Sequence, residues 1–172
     1  MNIKFVLSTV ALLLCILNIN LAQTSPLLQK GDPAPNFSEI DDKGNSISLD
    51  DYSGKVVLLK FTATWCGPCW EVYTPMHELQ KRYGDDLVII SFHMDEMREK
   101  WEKKAASKGI NFDVVSIWKS DTKQDVFNLF SPKIYPNFVL LDQNGVITKK
   151  WEGNSEKYLR RYVHQAMRRA KN

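Results

Sequence analysis

Residues Val56-Val57-Leu58-Leu59-Lys60-Phe61-Thr62 form a nearly unbroken apolar run, preceded by the turn Ser53-Gly54-Lys55. A run that does not alternate is the pattern of a strand covered on both faces, so the chain must place layers above and below it. Leu87 to Phe92 has the same character. Between the two, Cys69, Val72, Tyr73, Met76, Leu79 and Tyr83 recur on one helical stripe, ended by Gly84-Asp85-Asp86. Strand, helix, strand predicts a crossover between parallel strands.

The remaining patterns build around that unit. Asn36–Ile40 and Ser46–Leu49 read as short strands flanking the turn Asp41-Asp42-Lys43-Gly44-Asn45. Glu96 to Lys108 predicts a helix with Met97, Trp101 and Ala105 inward, closed by Gly109. Phe112–Val115 is a short strand candidate and Thr122–Phe130 a short helix. Asn137–Leu141 and Val146–Trp151 are strands joined at Gln143-Asn144-Gly145, where Asn-Gly signals a hairpin. Ser155 is placed to cap a last helix with Tyr158, Leu159, Tyr162, Val163, Ala166 and Met167 as its buried stripe. The expected fold class is α/β: a mixed central β-sheet with helices on both faces and an N-terminal β-hairpin extension.

Lys4 followed by the apolar or small run Phe5 to Leu17, with Ala22 a few residues on, reads as a secretory signal peptide over 1–22. The run is too short to span a bilayer comfortably. An uncleaved anchor is the alternative; a lipid attachment at Cys15 fits less well, because bulky Leu14 precedes it. Residues 23–30 read as a linker and 31–172 as one domain. Removing 22 of the 172 residues would leave 150, enough to bury about two-thirds of the unfolded surface without a disulfide. Of three cysteines, Cys15 leaves with the signal, so Cys66 and Cys69 have only each other. A bridge over two intervening residues closes too short a loop to stabilise much. The pair is better explained by chemistry. The net charge of +3 falls to +2 without Lys4, too little to argue for nucleic acid. Arg160, Arg161, Arg168, Arg169 and Lys171 read as the solvated, dipole-complementing end of the last helix.

Cys66-Gly67-Pro68-Cys69 directly follows the buried strand and opens a helix. That placement sets the first sulfur near unpaired backbone N–H groups and the positive end of the helix dipole, which favours the thiolate. The second sulfur lies one turn in and stays protonated. Pro68 occupies an early helical position where its missing N–H costs nothing. Cys66 is therefore the expected nucleophile and Cys69 the resolving thiol of a dithiol-disulfide cycle, with no cofactor beyond that disulfide. A zinc site is not expected: two of four ligands are missing, and His77, His93 and His164 show no paired spacing with the cysteines.

Trp65-Cys66-Gly67-Pro68-Cys69 is identified as the active-site pentapeptide of the thioredoxin superfamily. With the exported N-terminus, the lead-in Gly31-Asp32-Pro33-Ala34-Pro35-Asn36-Phe37 and the insert Met94-Asp95-Glu96, the chain resembles the TlpA/ResA-type branch, grouped broadly with redoxins and AhpC/TSA-like proteins. The resemblance covers about Gly31 to Ala170. It implies a thioredoxin fold and a cis-proline facing the sulfurs, matched here by Pro136 in Ile134-Tyr135-Pro136-Asn137-Phe138. Three departures stand out. Where the family commonly carries an acid in the strand before the motif, this chain has Lys60, which would favour a thiolate, or accept its proton if burial lowers its own pKa, or snorkel to the surface. An acid near the sulfurs is expected from Asp95, with Glu96 beside it; either could instead cap the following helix. Pro75 lies one residue further from the second cysteine than the family's helix-kinking proline, so the kink is expected at a shifted position.

The expected activity is thiol-disulfide exchange, in the reducing direction on the strength of Gly67-Pro68. The resemblance implies cysteine-containing exported clients, a membrane thiol donor of CcdA/DsbD type, a monomer, and a periplasmic or otherwise exported location. One alternative is a thiol peroxidase using Thr62 or Thr64 beside Cys66. Another is a redox-inactive module gripping extended chains in a groove formed by Trp65, Tyr135 and Pro136.

Overall fold

The computed structural model describes residues 27–95, 97–110, 115–119, 126–130, 132–154 and 156–171. In chain order the strands are β1 (Ser38–Ile40), β2 (Ser46–Ser48), β3 (Val56–Thr62), β4 (Leu87–His93), β5 (Val115–Trp118), β6 (Asn137–Leu141) and β7 (Ile147–Glu152). The helices are α1 (Gly67–Glu71), α2 (Tyr73–Tyr83), α3 (Arg98–Ser107), α4 (Val126–Phe130) and α5 (Glu156–Arg169). β1 and β2 pair antiparallel as a separate hairpin, and the main sheet runs β5-β4-β3-β6-β7. β3 is parallel to β4, and β4 to β5, while β6 is antiparallel to both β3 and β7. The expected mixed sheet, helix layers on both faces and N-terminal hairpin are all present.

The central position of β3 explains its unbroken apolar character, because alternate residues feed two different layers. Val57, Leu59 and Phe61 join Phe37, Phe92, Phe127 and Phe130 on one face, under the hairpin and α4. Val56 and Leu58 join Met76, Leu79, Leu159 and Val163 on the other, under α2 and α5. Each large apolar side chain buried this way contributes roughly 1.5–3 kcal/mol. The hairpin is tied down by its turn, where the Asp41 carboxylate accepts from the Lys43 and Asn45 N–H groups at 3.0 and 2.7 Å. At the other edge the segment before the hairpin lies along the start of β7. The Gly31 N–H donates to the Ile147 carbonyl at 2.8 Å, and Lys150 Nζ to the Leu28 carbonyl at 2.9 Å.

Several expected boundaries move, each for a local reason. Leu49 leaves the hairpin to begin a short 3-10 turn over Leu49–Tyr52, because Ser48 and Asp51 form a reciprocal capping box. The single helix expected after the cysteines is two, broken at Val72. Pro75 is the third residue of α2, where a helix tolerates a missing N–H. The chain therefore restarts just ahead of it, and the ladder resumes with Met76 N–H donating to the Val72 carbonyl at 3.0 Å. Met97 does not point inward; it precedes α3 and is 42% exposed, leaving Trp101 and Ala105 as the inward side chains. Tyr158 is 43% exposed, and the buried stripe of α5 starts at Leu159. β4 runs one residue further than expected, to His93, and the last strand begins and ends one residue later, at Ile147 and Glu152. The third parallel strand lies at Val115–Trp118, later than the expected 112–115. Gly145 carries the hairpin before β7 with φ +73°, a conformation that suits glycine. The signal segment 1–22, Glu96, residues 111–114, most of the expected 122–130 helix before Val126, and the Ser155 cap lie outside the described residues.

Candidate active site

β3 delivers the chain at Thr62 to a short loop, and Cys66 then sits as the N-cap of α1 in an extended conformation (φ −76°, ψ 101°). Gly67 and Pro68 form the first turn, which brings Cys69 back over Cys66. The two sulfurs are bonded at 2.05 Å with Cα atoms 5.3 Å apart. The Cys69 backbone N–H donates to Cys66 Sγ at 3.2 Å. The same N–H lies 3.2 Å from the Cys66 carbonyl oxygen. A donor aimed at that sulfur favours its charged form over its neutral one. Cys66 keeps 5% of its surface exposed and Cys69 only 1%, so the outer sulfur is that of Cys66.

Three further groups frame this pair. Trp65 is 64% exposed, with its ring edge-on to Tyr135 at 6.0 Å. Tyr135 also packs, with Met94, against the cluster of Ala63, Cys66 and Cys69. The Tyr135–Pro136 peptide is cis, and the buried Pro136 leads into β6 with its carbonyl accepting from Gly153 N–H at 2.8 Å. Asp95, beyond β4, accepts from the Thr64 N–H at 2.5 Å and the Thr64 hydroxyl at 2.9 Å. It also accepts from the Met97 N–H at 3.0 Å. One carboxylate thus braces the loop that carries Cys66 and satisfies an N–H at the start of α3. The Thr64 hydroxyl is spent on Asp95, not on a sulfur.

Lys60 lies directly behind Cys69. It is fully buried, so the surface-snorkelling expectation is overturned: α1, α2 and α3 cover this face of β3 and leave the stem no route to solvent. Its Nζ donates to the Cys69 carbonyl at 3.3 Å and stands 3.3 Å from the centroid of the Tyr73 ring. Burial holds its pKa well below the ordinary lysine range.

The AhpC/TSA family model matches residues 30–150, which includes the whole of this site. The chain belongs to the AhpC/TSA family. Within it, the chain is similar to a thioredoxin-like protein, YneN, of Bacillus subtilis: 37% identical over 123 residues, 70% of this chain and 69% of that one. It is also similar to the thiol-disulfide oxidoreductase ResA of Geobacillus kaustophilus: 34% identical over 128 residues, 74% of this chain and 71% of that one. Among solved structures, a Chlorobium tepidum protein assigned as a thiol:disulfide interchange protein DsbE superposes with a TM-score of 0.70 at 27% identity, covering 81% of this chain and 98% of that one. The fold of this AhpC/TSA chain is the thioredoxin fold, and with Cys66 and Cys69 at bonding distance it is a thiol-disulfide oxidoreductase.

The AhpC/TSA site gathers Trp65, Cys66, Gly67, Pro68, Cys69 and Tyr135 at one end of the sheet, with Lys60 beneath and Asp95 bracing from the side. Sequence reasoning missed the aromatic box around Lys60. His93 is fully buried, stacked on Trp118 at 4.1 Å and edge-on to Trp101 at 5.2 Å. Neither of its ring nitrogens has a hydrogen-bond partner among the described residues. Burial, with Lys60 and Arg98 nearby, pushes its pKa down to about 3. Tyr73 and Trp70 complete the box, with Trp101 Nε1 donating to the Tyr73 hydroxyl at 3.3 Å. A polar residue ending the apolar run Leu87 to Phe92 was the available signal for His93. Among the described residues, no cluster of three or more His, Cys, Asp or Glu side chains is arranged to hold a metal ion.

Proposed function

We propose that this oxidoreductase works as a reductant of disulfides in exported client proteins, with Cys66 as nucleophile and Cys69 as resolving thiol. The observation that carries the reading is the asymmetry of the pair: the outer sulfur is also the one that receives a backbone N–H at the mouth of α1. In the reduced protein the Cys66 thiolate attacks a client disulfide and displaces one client sulfur. Cys69 then attacks Cys66, releasing the second client sulfur and leaving the intramolecular disulfide. Trp65, exposed beside Tyr135 and Pro136, supplies an apolar rim against which an extended client segment would lie.

Residues 1–22 are the signal that exports the chain to the periplasm or a comparable oxidising compartment, with retention as a membrane anchor the alternative; 31–172 form the working domain. A reductant there needs a source of electrons, and a membrane thiol donor of CcdA/DsbD type fills that place for a monomeric acceptor. Cys69→Ser in the exported chain tests the cycle. Mixed disulfides through residue 66 should accumulate and identify clients, whereas none forming would end this reading. Direction is tested by redox equilibrium against glutathione. The reductant reading requires a potential near about −270 mV, and a value near about −120 mV would make the protein an oxidant.

A further inference from the structure

The outer edge of β7 is only half covered. Gly153 N–H donates to the Pro136 carbonyl, and hydrogen-bonded positions alternate along an antiparallel pair. Trp151 and Lys149 therefore turn their backbone groups toward β6, while Lys150 and Glu152 turn theirs outward. At the start of the strand the outward groups are taken: Gly31 N–H donates to the Ile147 carbonyl at 2.8 Å, and Ile147 N–H to the Asp32 carbonyl at 2.9 Å. Back from Gly31 the chain does not continue this pairing. The Lys150 side chain spans the gap instead, its Nζ donating to the Leu28 carbonyl at 2.9 Å. Among the described residues, no backbone hydrogen bond reaches the outward N–H and C=O groups of Lys150 and Glu152.

A cleft of about 750 Å³ opens there, between residues 27–30 and β7. Its walls carry Lys30, Lys133, Lys149 and Lys150 against one carboxylate, Glu152, whose Oε1 accepts from Asn137 Nδ2 at 3.2 Å. None of the four lysines is in a salt bridge among the described residues. Leu28, Phe130 and Trp151 add apolar surface. An unpaired sheet edge accepts an extended chain, and an excess of cations around it selects an acidic one. The cleft also runs to the active site. Lys133 and Asn137 bracket Ile134-Tyr135-Pro136, and Tyr135 packs on the cysteine cluster. A strand added outside β7 would lie about 10 Å from β6, a gap that about three extended residues cross.

We propose that this cleft is a docking site for client proteins. An acidic, extended segment next to the client disulfide adds to the outer edge of β7 as a further strand, pairs with Lys150 and Glu152, and brings the disulfide to Cys66. The lysines select the segment by charge. The two outward residues hold its backbone, and the apolar walls take alternate side chains. The client class is then proteins with Asp or Glu alternating with apolar residues a few positions from the disulfide. This deepens the dithiol cycle proposed above and rests on it.

The test uses peptides that share one disulfide-bearing segment and differ only in a tail. One tail alternates Glu with Val and one alternates Gln with Val. Two more repeat the Glu tail with N-methyl groups on alternate residues, in one register or the other. Reduction of each by the reduced full chain is followed in single turnover at low salt. The Glu tail should react faster than the Gln tail by about tenfold, the worth of two or three surface ion pairs. N-methylation should abolish that gain in the register that faces β7 and spare it in the other. Lys133→Glu combined with Lys149→Glu should also abolish the gain, while its rate with neutral dithiodipyridine changes by less than about twofold. Equal rates for the Glu and Gln tails, a gain that survives N-methylation in both registers, or one that survives the double substitution would overturn the proposal. So would binding of phosphatidylglycerol vesicles, or self-association of the chain, through these lysines with no preference among tails. Absence of reaction between the unsubstituted chain and dithiodipyridine would instead overturn the oxidoreductase cycle itself.

Discussion

On one face of β3, Val57, Leu59 and Phe61 run into a continuous aromatic layer of Phe37, Phe92, Phe127 and Phe130. On the other, Val56 and Leu58 begin the same way, and then Lys60 and Thr62 take the places where two more apolar side chains would fit. Both faces exclude water. The first does so with groups that gain by it, and the second with an amine that does not. The strand therefore carries a stabilising layer and a reactive pocket back to back. A change of one residue moves from one to the other, because successive side chains point to opposite faces.

Truncation should break the symmetry first. Phe61 is fully buried, stacked on Phe92 at 5.1 Å and packed against Phe127 and Phe130. Phe61→Ala should cost about 3–5 kcal/mol of unfolding free energy in denaturant titrations. Its neighbour should behave oppositely: Lys60→Met replaces a buried amine, held only by the Cys69 carbonyl and the Tyr73 ring among the contacts described, by an apolar side chain of like size and should raise stability, by about 1–3 kcal/mol, the range for a polar group taken out of water. A loss of stability in Lys60→Met would erase the distinction between the faces.

The next contrast is in pH. His93 lies on the reactive side and titrates near 3 in the folded chain, against an ordinary value of 6.5. Between those values the unfolded state holds a proton that the folded state refuses. This residue therefore removes stability as pH falls through that window, by up to about 1.4 kcal/mol per pH unit. Unfolding of His93→Phe, followed from about pH 7 to about pH 4, should show a flatter decline than the parent, the carboxylates being common to both. Parallel curves would remove His93 from the account.

Some of this was legible in the residues and some was not. The apolar run of β3, the spacing of Cys66 and Cys69 and the Asn144-Gly145 turn are local signals, and each states its own structure. Lys60 was undecidable locally, because its fate depends on which helices lie over it. Asp95 finds Thr64 across 31 positions, and His93 finds Trp101 and Trp118 only when three elements meet. The inward placements of Met97 and Tyr158 failed at the start of a helix, where periodicity alone does not say how far the covering layer reaches. The break at Val72 follows from Pro75, but the proline alone does not say which earlier residue yields.

Smaller effects refine the reactive side. Asp95→Ala removes the acceptor for two part-buried donors of Thr64 in the Cys66 loop and for the exposed Met97 N–H at the start of α3, and should cost about 1 kcal/mol, the lower end of the range for unsatisfied donors. Trp65→Ala should change stability by less than about 0.5 kcal/mol, since the ring is exposed, while slowing attack on protein disulfides more than attack on a small one. Equal slowing on both would show that the ring acts on the sulfur and not on the client.

The central claim is that the N-terminus of α1 makes Cys66 a thiolate at neutral pH. Its most direct test is the rate of iodoacetamide alkylation of the reduced protein as a function of pH, with the modified residue located by mass spectrometry. Alkylation should fall on Cys66 first, with a half-maximal rate well below the ordinary thiol pKa of about 8.5. A midpoint at or above that value, or equal modification of Cys66 and Cys69, would contradict it.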